Sequence, residues 1–254
     1  MAIITLTTDF GTADGYVGAM KGVIARIARG RPVVVDLAHD IPPGDIAHAA
    51  WVVATATSEF PYGSIHIVVV DPGVGGARRE IIVRANGRYY VGPDNGVFAY
   101  LAAGEAYAIE NERFRAERVS RTFHGRDVFA PTAAAIASGD SPSTAGRKVD
   151  LVGRLPWGPR EHQVGRIVHI DRFGNLISDL PEQEAGRAVL VAGQVLPLLG
   201  TYEEVAPGQL LAYIGSAGTV EIAVRDGRAD RRLSLARGEL VVPAPVDPAG
   251  GPYR

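Results

Sequence analysis

Ser64-Ile65-His66-Ile67-Val68-Val69-Val70-Asp71-Pro72-Gly73-Val74-Gly75-Gly76-Ala77-Arg78 runs from a Val-rich, almost continuously apolar stretch into a glycine-rich loop bearing a carboxylate and a guanidinium. An apolar run without strict alternation is the pattern of a strand buried on both faces. Two similar runs lie upstream. Ile3 to Thr7 ends in Thr7-Thr8-Asp9-Phe10-Gly11, and Val33 to Leu37 follows it. Between them Tyr16, Met20, Val23, Ile24 and Ile27 recur at helical spacing until Gly30 stops them, with Asp14 expected as the N-cap. Asp45 is placed to cap a second helix through Ala49, Trp51, Val52 and Ala56. Strands alternating with helices predict an α/β N-terminal domain over residues 1–150, with a mostly parallel sheet flanked by helices.

Downstream the signals change. Glu80 to Arg84 and Arg88 to Val91 flank Asn86-Gly87, a strong hairpin signal. Asp94-Asn95-Gly96 is expected to open a short helix through Val97, Phe98 and Leu101, and Asp127 to Ala137 forms an Ala-rich helix. Gly139 to Pro159 is rich in Gly, Pro, Ser and Arg and reads as a linker. Beyond Val164 come short strands: Ile167 to Ile170, Val189 to Val191, Leu210 to Ile214, Val220 to Val224 and Leu240 to Val242. They predict a smaller all-β barrel or sandwich as a C-terminal domain over residues 160–243, with 244–254 as a loose tail.

Composition narrows the function classes. The chain has 254 residues, 46% hydrophobic, and a formal charge of -2 with dispersed basic residues. No basic stripe marks a nucleic-acid partner. With no cysteine, thiolate metal sites, disulfides and cysteine nucleophiles are excluded. The N-terminal residues lack a basic start and a long apolar stretch, so no signal peptide is expected, and no run reaches transmembrane length. A cytoplasmic protein with no membrane partner is the expectation.

Two motifs carry ionisable groups beside glycines: the Asp71 to Arg78 loop, and Thr122-Phe123-His124-Gly125-Arg126-Asp127-Val128-Phe129-Ala130-Pro131. The first is not a phosphate cradle, because its spacing is not that of a dinucleotide or Walker loop, no lysine follows, and a hairpin rather than a helix comes next. Asp71 and Arg78 read either as a surface ion pair or as a carboxylate held ionised by a cation. Gly125 leaves room for a ligand beside the His124 imidazole; Arg126 and Asp127 read as structural. Asp9, directly after the first strand, is either a turn residue or a carboxylate for the hydroxyls of a ribose. Asp36, His39 and Asp40 are the best metal candidate, yet no ligand pair at helical spacing supports them. No Gly-x-Ser-x-Gly elbow is present. In the second half Asp171-Arg172-Phe173-Gly174-Asn175 is a hairpin turn or an aromatic platform flanked by an amide and a carboxylate. Tyr202 is a second aromatic wall or core, and Gly215-Ser216-Ala217-Gly218 is a turn with exposed backbone donors.

In this order the stretches TTDFG (Thr7 to Gly11), VVDPGVGGARR (Val69 to Arg79), PDNG (Pro93 to Gly96), TFHGRDVFAP (Thr122 to Pro131), DRFGNLIS (Asp171 to Ser178) and GSAGTVEIAV (Gly215 to Val224) resemble the S-adenosyl-L-methionine (SAM) hydroxide adenosyltransferases, relatives of the fluorinases and chlorinases. The resemblance implies a catalytic triad of Asp71, Arg78 and His124. It implies that Asp9 holds the ribose diol and Phe123 lines the reacting centre. Asn175 and the Val224 region would recognise adenine, with Phe173 and Tyr202 packed on adenosine. Asp171, Ser216 and Glu221 would hold the methionine end. It also implies a homotrimer with sites between subunits, and no cofactor or metal beyond the SAM substrate. Where the fluorinase has a tyrosine, a threonine and a serine, this chain has Asp71, Val74 and Gly125, and a tryptophan of that pocket corresponds to Gly44. An anionic Asp71 would repel a halide. The expected reaction is therefore attack of water on C5′ of SAM, giving adenosine and methionine. The alternatives are a halide-using adenosyltransferase, a non-catalytic adenosyl-ligand module and a metal-dependent hydrolase.

Overall fold

The computed structural model describes residues 1–102 and 104–244 and divides into two compact units, Met1–Leu155 and Pro156–Arg254. In the first, β1 (Ile3–Thr8), α1 (Tyr16–Ile27), β2 (Val33–Ala38), α2 (Ile46–Ala56) and β3 (Ile65–Val69) alternate as the apolar periodicities require. Asp45 does cap α2, accepting from the backbone N–H of His48 at 3.0 Å. The N-cap of α1 is Gly15, without a side-chain bond, rather than Asp14.

The hairpin forms as β4 (Glu80–Ala85) and β5 (Arg88–Pro93), and Asn86 and Gly87 take the positive φ values, 49° and 70°, that a two-residue turn demands. This hairpin overturns the expectation of a mostly parallel sheet. With β6 (Glu105–Ala108) and β7 (Lys148–Val149), the strand order is β2-β1-β3-β5-β4-β6-β7. The pairs β2/β1, β1/β3 and β3/β5 are parallel; β5/β4, β4/β6 and β6/β7 are antiparallel. The sheet is mixed because a two-residue turn can join only antiparallel neighbours. Helices cover both faces. Met20 and Ile24 of α1 and Ala133 and Ile136 of α3 (Ala130–Ala137) pack with Leu6, Ile65 and Ile67; Val53 of α2 packs with Val68, Ile81 and Tyr90 on the other face.

Three further expectations change. Residues 94–101 make successive turns, not a helix, because the Asp94 carboxylate is taken by the Arg79 guanidinium and by the N–H groups of Val152 and Gly153. The Ala-rich helix begins earlier, with a π turn over Gly125–Phe129, before α3. The expected linker carries a 3₁₀ turn at Pro142–Thr144 and strand β7, so its first half belongs to the sheet.

In the second unit β8 (Gly165–Ile170), β9 (Leu176–Pro181), α4 (Glu182–Ala185), β10 (Ala188–Val191), β11 (Gln194–Leu199), β12 (Leu210–Ile214), β13 (Thr219–Val224), α5 (Ala229–Leu233) and β14 (Leu240–Pro243) follow in sequence. The strands close into a seven-stranded barrel, β10-β11-β12-β13-β9-β8-β14. Ile167, Leu176, Val191, Ala212, Ile222 and Val241 fill it, and closure leaves no long unpaired edge. Ala244 still bonds to Ala188; the rest of the expected tail lies outside the described residues. Among the described residues no helix is long and apolar enough to cross a membrane.

Candidate active site

The parallel strands β1 and β3 end side by side, as Thr8 pairs with Val69, so Asp9 and Asp71 leave the sheet at its carboxyl edge, where such sheets present ligands. Asp9, Phe10, Gly44, Asp71, Pro72, Val74, Thr122, Phe123, His124 and Gly125 line a cavity of about 210 Å³ there. Asp71 is no surface ion pair: its side chain is only 3% exposed. Arg78 reaches it side-on, with Nε 2.9 Å and Nη2 2.6 Å from Oδ2, and Nε 3.1 Å from Oδ1. Nη2 of Arg78 also lies 2.8 Å from Nδ1 of His124. Asp71, Arg78 and His124, 46 residues apart between the last two, therefore meet.

A fourth member was missed from sequence. Glu80, the first residue of β4, accepts from Nη1 of Arg78 at 2.6 Å, and its Oε1 lies 3.0 Å from Nδ1 of His124. The signal was present: a carboxylate two residues after Arg78, hence on the same side of an extended chain, stands directly before the apolar run Ile81-Ile82-Val83. Burial works against the Arg78 charge, but the bonds and charges of Asp71 and Glu80 outweigh it and raise its pKa above the ordinary value. Burial likewise pushes the Glu80 carboxyl up, and Arg78 and Arg115 more than reverse this. For His124, burial and then the charge of Arg78 dominate, and its pKa falls below the ordinary imidazole value.

Around this cluster, Asp9 accepts from the N–H of Gly44. Phe123 packs edge-on against Phe10 and Tyr16, and the Arg126 guanidinium lies over its ring at 4.9 Å. Arg126 and Asp127 pair with each other, and Asp127 also ties down Ser120, as structural residues should. The Asp36 carboxylate is engaged by Lys21 at 2.6 Å, and His39 by Thr8 at 2.8 Å and Asp36 at 3.0 Å. Among the described residues no group of three or more His, Asp or Glu is arranged to hold a metal ion.

The barrel holds the remaining expected residues. Asp171 closes a turn, accepting from the N–H groups of Phe173 and Asn175 and from Nδ2 of Asn175. Phe173 stands 72% exposed, whereas Asn175 is buried. Tyr202 bonds to Tyr213, which donates to Glu221 at 2.6 Å. Burial, then the charge of Asp171, raises the Glu221 pKa against the Tyr213 bond. Ser216 is exposed in its turn, and the Val224 side chain lies in the barrel core while its carbonyl accepts from the N–H of Gly227.

Residues 4–146 match the SAM hydroxide adenosyltransferase N-terminal domain, and residues 165–242 match the C-terminal domain of the same family. The chain belongs to the SAM hydroxide adenosyltransferase family. Among its relatives, a protein named (R)-S-adenosyl-L-methionine hydrolase from Thermus thermophilus is 42% identical, covering 94% of this chain and 98% of its own. A fluorinase from Actinoplanes sp. is more distant, at 26% identity over 87% of this chain and 90% of its own. The crystal structure of a conserved hypothetical protein from Thermus thermophilus superposes with a TM-score of 0.81 at 38% identity, covering 95% of this chain and 99% of that one. Within this SAM hydroxide adenosyltransferase the Asp71, Arg78 and His124 cluster lies in the N-terminal domain, on the cavity that Asp9 and Phe123 share.

Proposed function

We propose that this chain hydrolyses (R)-S-adenosyl-L-methionine to adenosine and L-methionine by in-line attack of water on C5′, as the names of its more similar relatives suggest. The observation that carries the reading is the Asp71 carboxylate, 3% exposed, paired with Arg78 and lining the cavity. A carboxylate there accepts a proton from water and repels chloride or fluoride. The sulfonium leaves as a neutral thioether, so the departing group needs no acid. Alignment and removal of bulk water are what the site must supply. Asp9 takes the ribose hydroxyls and Phe123 flanks the reacting carbon; no metal or cofactor takes part.

At about 210 Å³ the cavity falls short of the roughly 300–1,000 Å³ that buries a whole ligand of this class. It suits the ribose and sulfonium, so the two ends of SAM need further surface. Adenine falls to Asn175, Phe173, Tyr202 and the Val224 region, and the amino acid end to Asp171, Ser216 and Glu221, in a homotrimer that works in the cytoplasm.

The experiment is incubation of the purified chain with each SAM epimer, with and without chloride, followed by chromatography. Adenosine and methionine in equal amounts, chloride-independent and faster from the (R) epimer, are expected. A dominant 5′-chloroadenosine product, or no product with either epimer, overturns the reading.

A further inference from the structure

The Arg78 guanidinium is held from both edges. Nε and Nη2 face Asp71, while Nη1 faces Glu80, whose other oxygen lies 3.2 Å from Nη2 of Arg115. Held this way, Arg78 points its remaining Nη2–H at Nδ1 of His124, 2.8 Å away. A guanidinium carries only donors. Oε1 of Glu80 also lies 3.0 Å from Nδ1, but it already accepts from Nη1 of Arg78 at 2.6 Å. With Nδ1 as the acceptor of the shorter Arg78 contact, the single proton of the neutral ring sits on Nε2. Since Nδ1 faces Arg78 and the ring lines the cavity, the Nε2 edge is the one a ligand meets.

We infer that Glu80 is a positioning residue: by anchoring Nη1 of Arg78 opposite Asp71, it fixes His124 as the Nε2–H tautomer, so that His124 offers the cavity a donor and Asp71 alone accepts the proton of water. The inference rests on the proposed hydrolysis and assigns its proton. Water accepts a hydrogen bond from Nε2–H and donates one to Oδ1 of Asp71, the oxygen with the longer Arg78 contact. As its oxygen bonds to C5′, the C5′–S pair passes to sulfur, the thioether leaves neutral, and the proton moves to Asp71 and then to solvent. The charged groups facing His124 are Asp71, Arg78 and Glu80, with Asp127 on its own turn; burial and Arg78 outweigh Glu80 and Asp71 and lower the imidazole pKa, which favours the neutral ring. The competing arrangement, Nδ1–H donated to Glu80 with Nε2 as a base, would leave the Arg78 N–H aimed at another N–H.

The test combines a spectrum with kinetics. In the ¹⁵N side-chain NMR spectrum of the full chain without substrate, His124 is expected to carry its proton on Nε2 alone. Glu80→Ala is expected to give mixed tautomers and a kcat roughly ten- to hundredfold lower with KM within about threefold, the cost of misplacing a catalytic group. Glu80→Gln, which keeps an acceptor and loses the charge, is expected to lose less. His124→Gln, which keeps an N–H donor, is expected to stay at least about tenfold faster than His124→Ala. A wild-type ring protonated on Nδ1 overturns the inference. So does His124→Gln as slow as His124→Ala, or Glu80→Ala with unchanged tautomer and kcat. The spectrum needs no substrate, so a wild-type chain that releases no adenosine would sink the proposed hydrolysis and leave the tautomer assignment standing.

Discussion

The backbone N–H of Gly44 donates to Oδ2 of Asp9 at 2.8 Å, and both residues line the cavity. The bond ties the end of β1 to the loop before α2 and leaves the other carboxylate oxygen for a ligand. If that oxygen accepts ribose hydroxyls, Asp9→Ala raises KM by roughly ten- to hundredfold, the equivalent of about 1.5–3 kcal/mol for a charge-assisted hydrogen bond. The kcat should change much less, because the lost contact exists before and during the reaction alike. Steady-state kinetics check this; an unchanged KM contradicts it.

Asp71→Asn keeps the size of the side chain and an oxygen for Arg78, but removes the group that accepts a proton. Turnover is expected to fall by about two orders of magnitude or more, while calorimetry still shows SAM binding. His124→Ala should lose a comparable factor. Near-normal turnover in both variants contradicts the assigned roles.

Gly75 sits at φ 75°, and a Cβ there would run into the carbonyl oxygen of Arg121. The contact packs the Asp71 loop against the segment leading to His124. Gly75→Ala must therefore push the two segments apart. The expected result is a large loss of kcat in a protein whose circular dichroism stays native, since the cores on both sheet faces are untouched. Full activity in this variant would show that the loop spacing does not matter.

Much of this was legible from local chemistry. Asp45 caps α2 because a side-chain oxygen one step before a helix has few better partners, and Asn86-Gly87 turns the chain because these residues tolerate positive φ. What failed was decided at long range. Asp94 looked like a helix start, but its acceptors are spent on Val152 and Gly153, 58 and 59 residues away. β7 is two residues long and hidden among Gly, Pro and Ser, and β11 contains Pro197. Glu80 read as one more hairpin residue because its second cation, Arg115, lies 35 positions on. The direction of each strand is set by its neighbour, which no single apolar run encodes.

His66 gives a prediction about stability. It is fully buried between Phe60 and Tyr90, with Nδ1 bonded to Thr5, and burial, then the charge of Arg88, lowers its pKa to about 3. The unfolded chain takes up this proton near pH 6.5, whereas the folded one resists it. Between those values the unfolded state binds more protons, so stability falls as pH drops, by up to about 1.4 kcal/mol per pH unit from this residue. Urea unfolding from pH 7 down to pH 4.5 should show the slope, and His66→Asn should flatten it. An equal slope in both proteins contradicts the assignment.

Hydrolysis at C5′ is tested most directly by the fate of the water oxygen. The chain, SAM and ¹⁸O-labelled water are incubated together and the nucleoside is weighed by mass spectrometry. The account predicts adenosine carrying one ¹⁸O, on its 5′ hydroxyl, with unlabelled methionine. Adenosine without the label, or a 5′-halogenated nucleoside in its place, would contradict it.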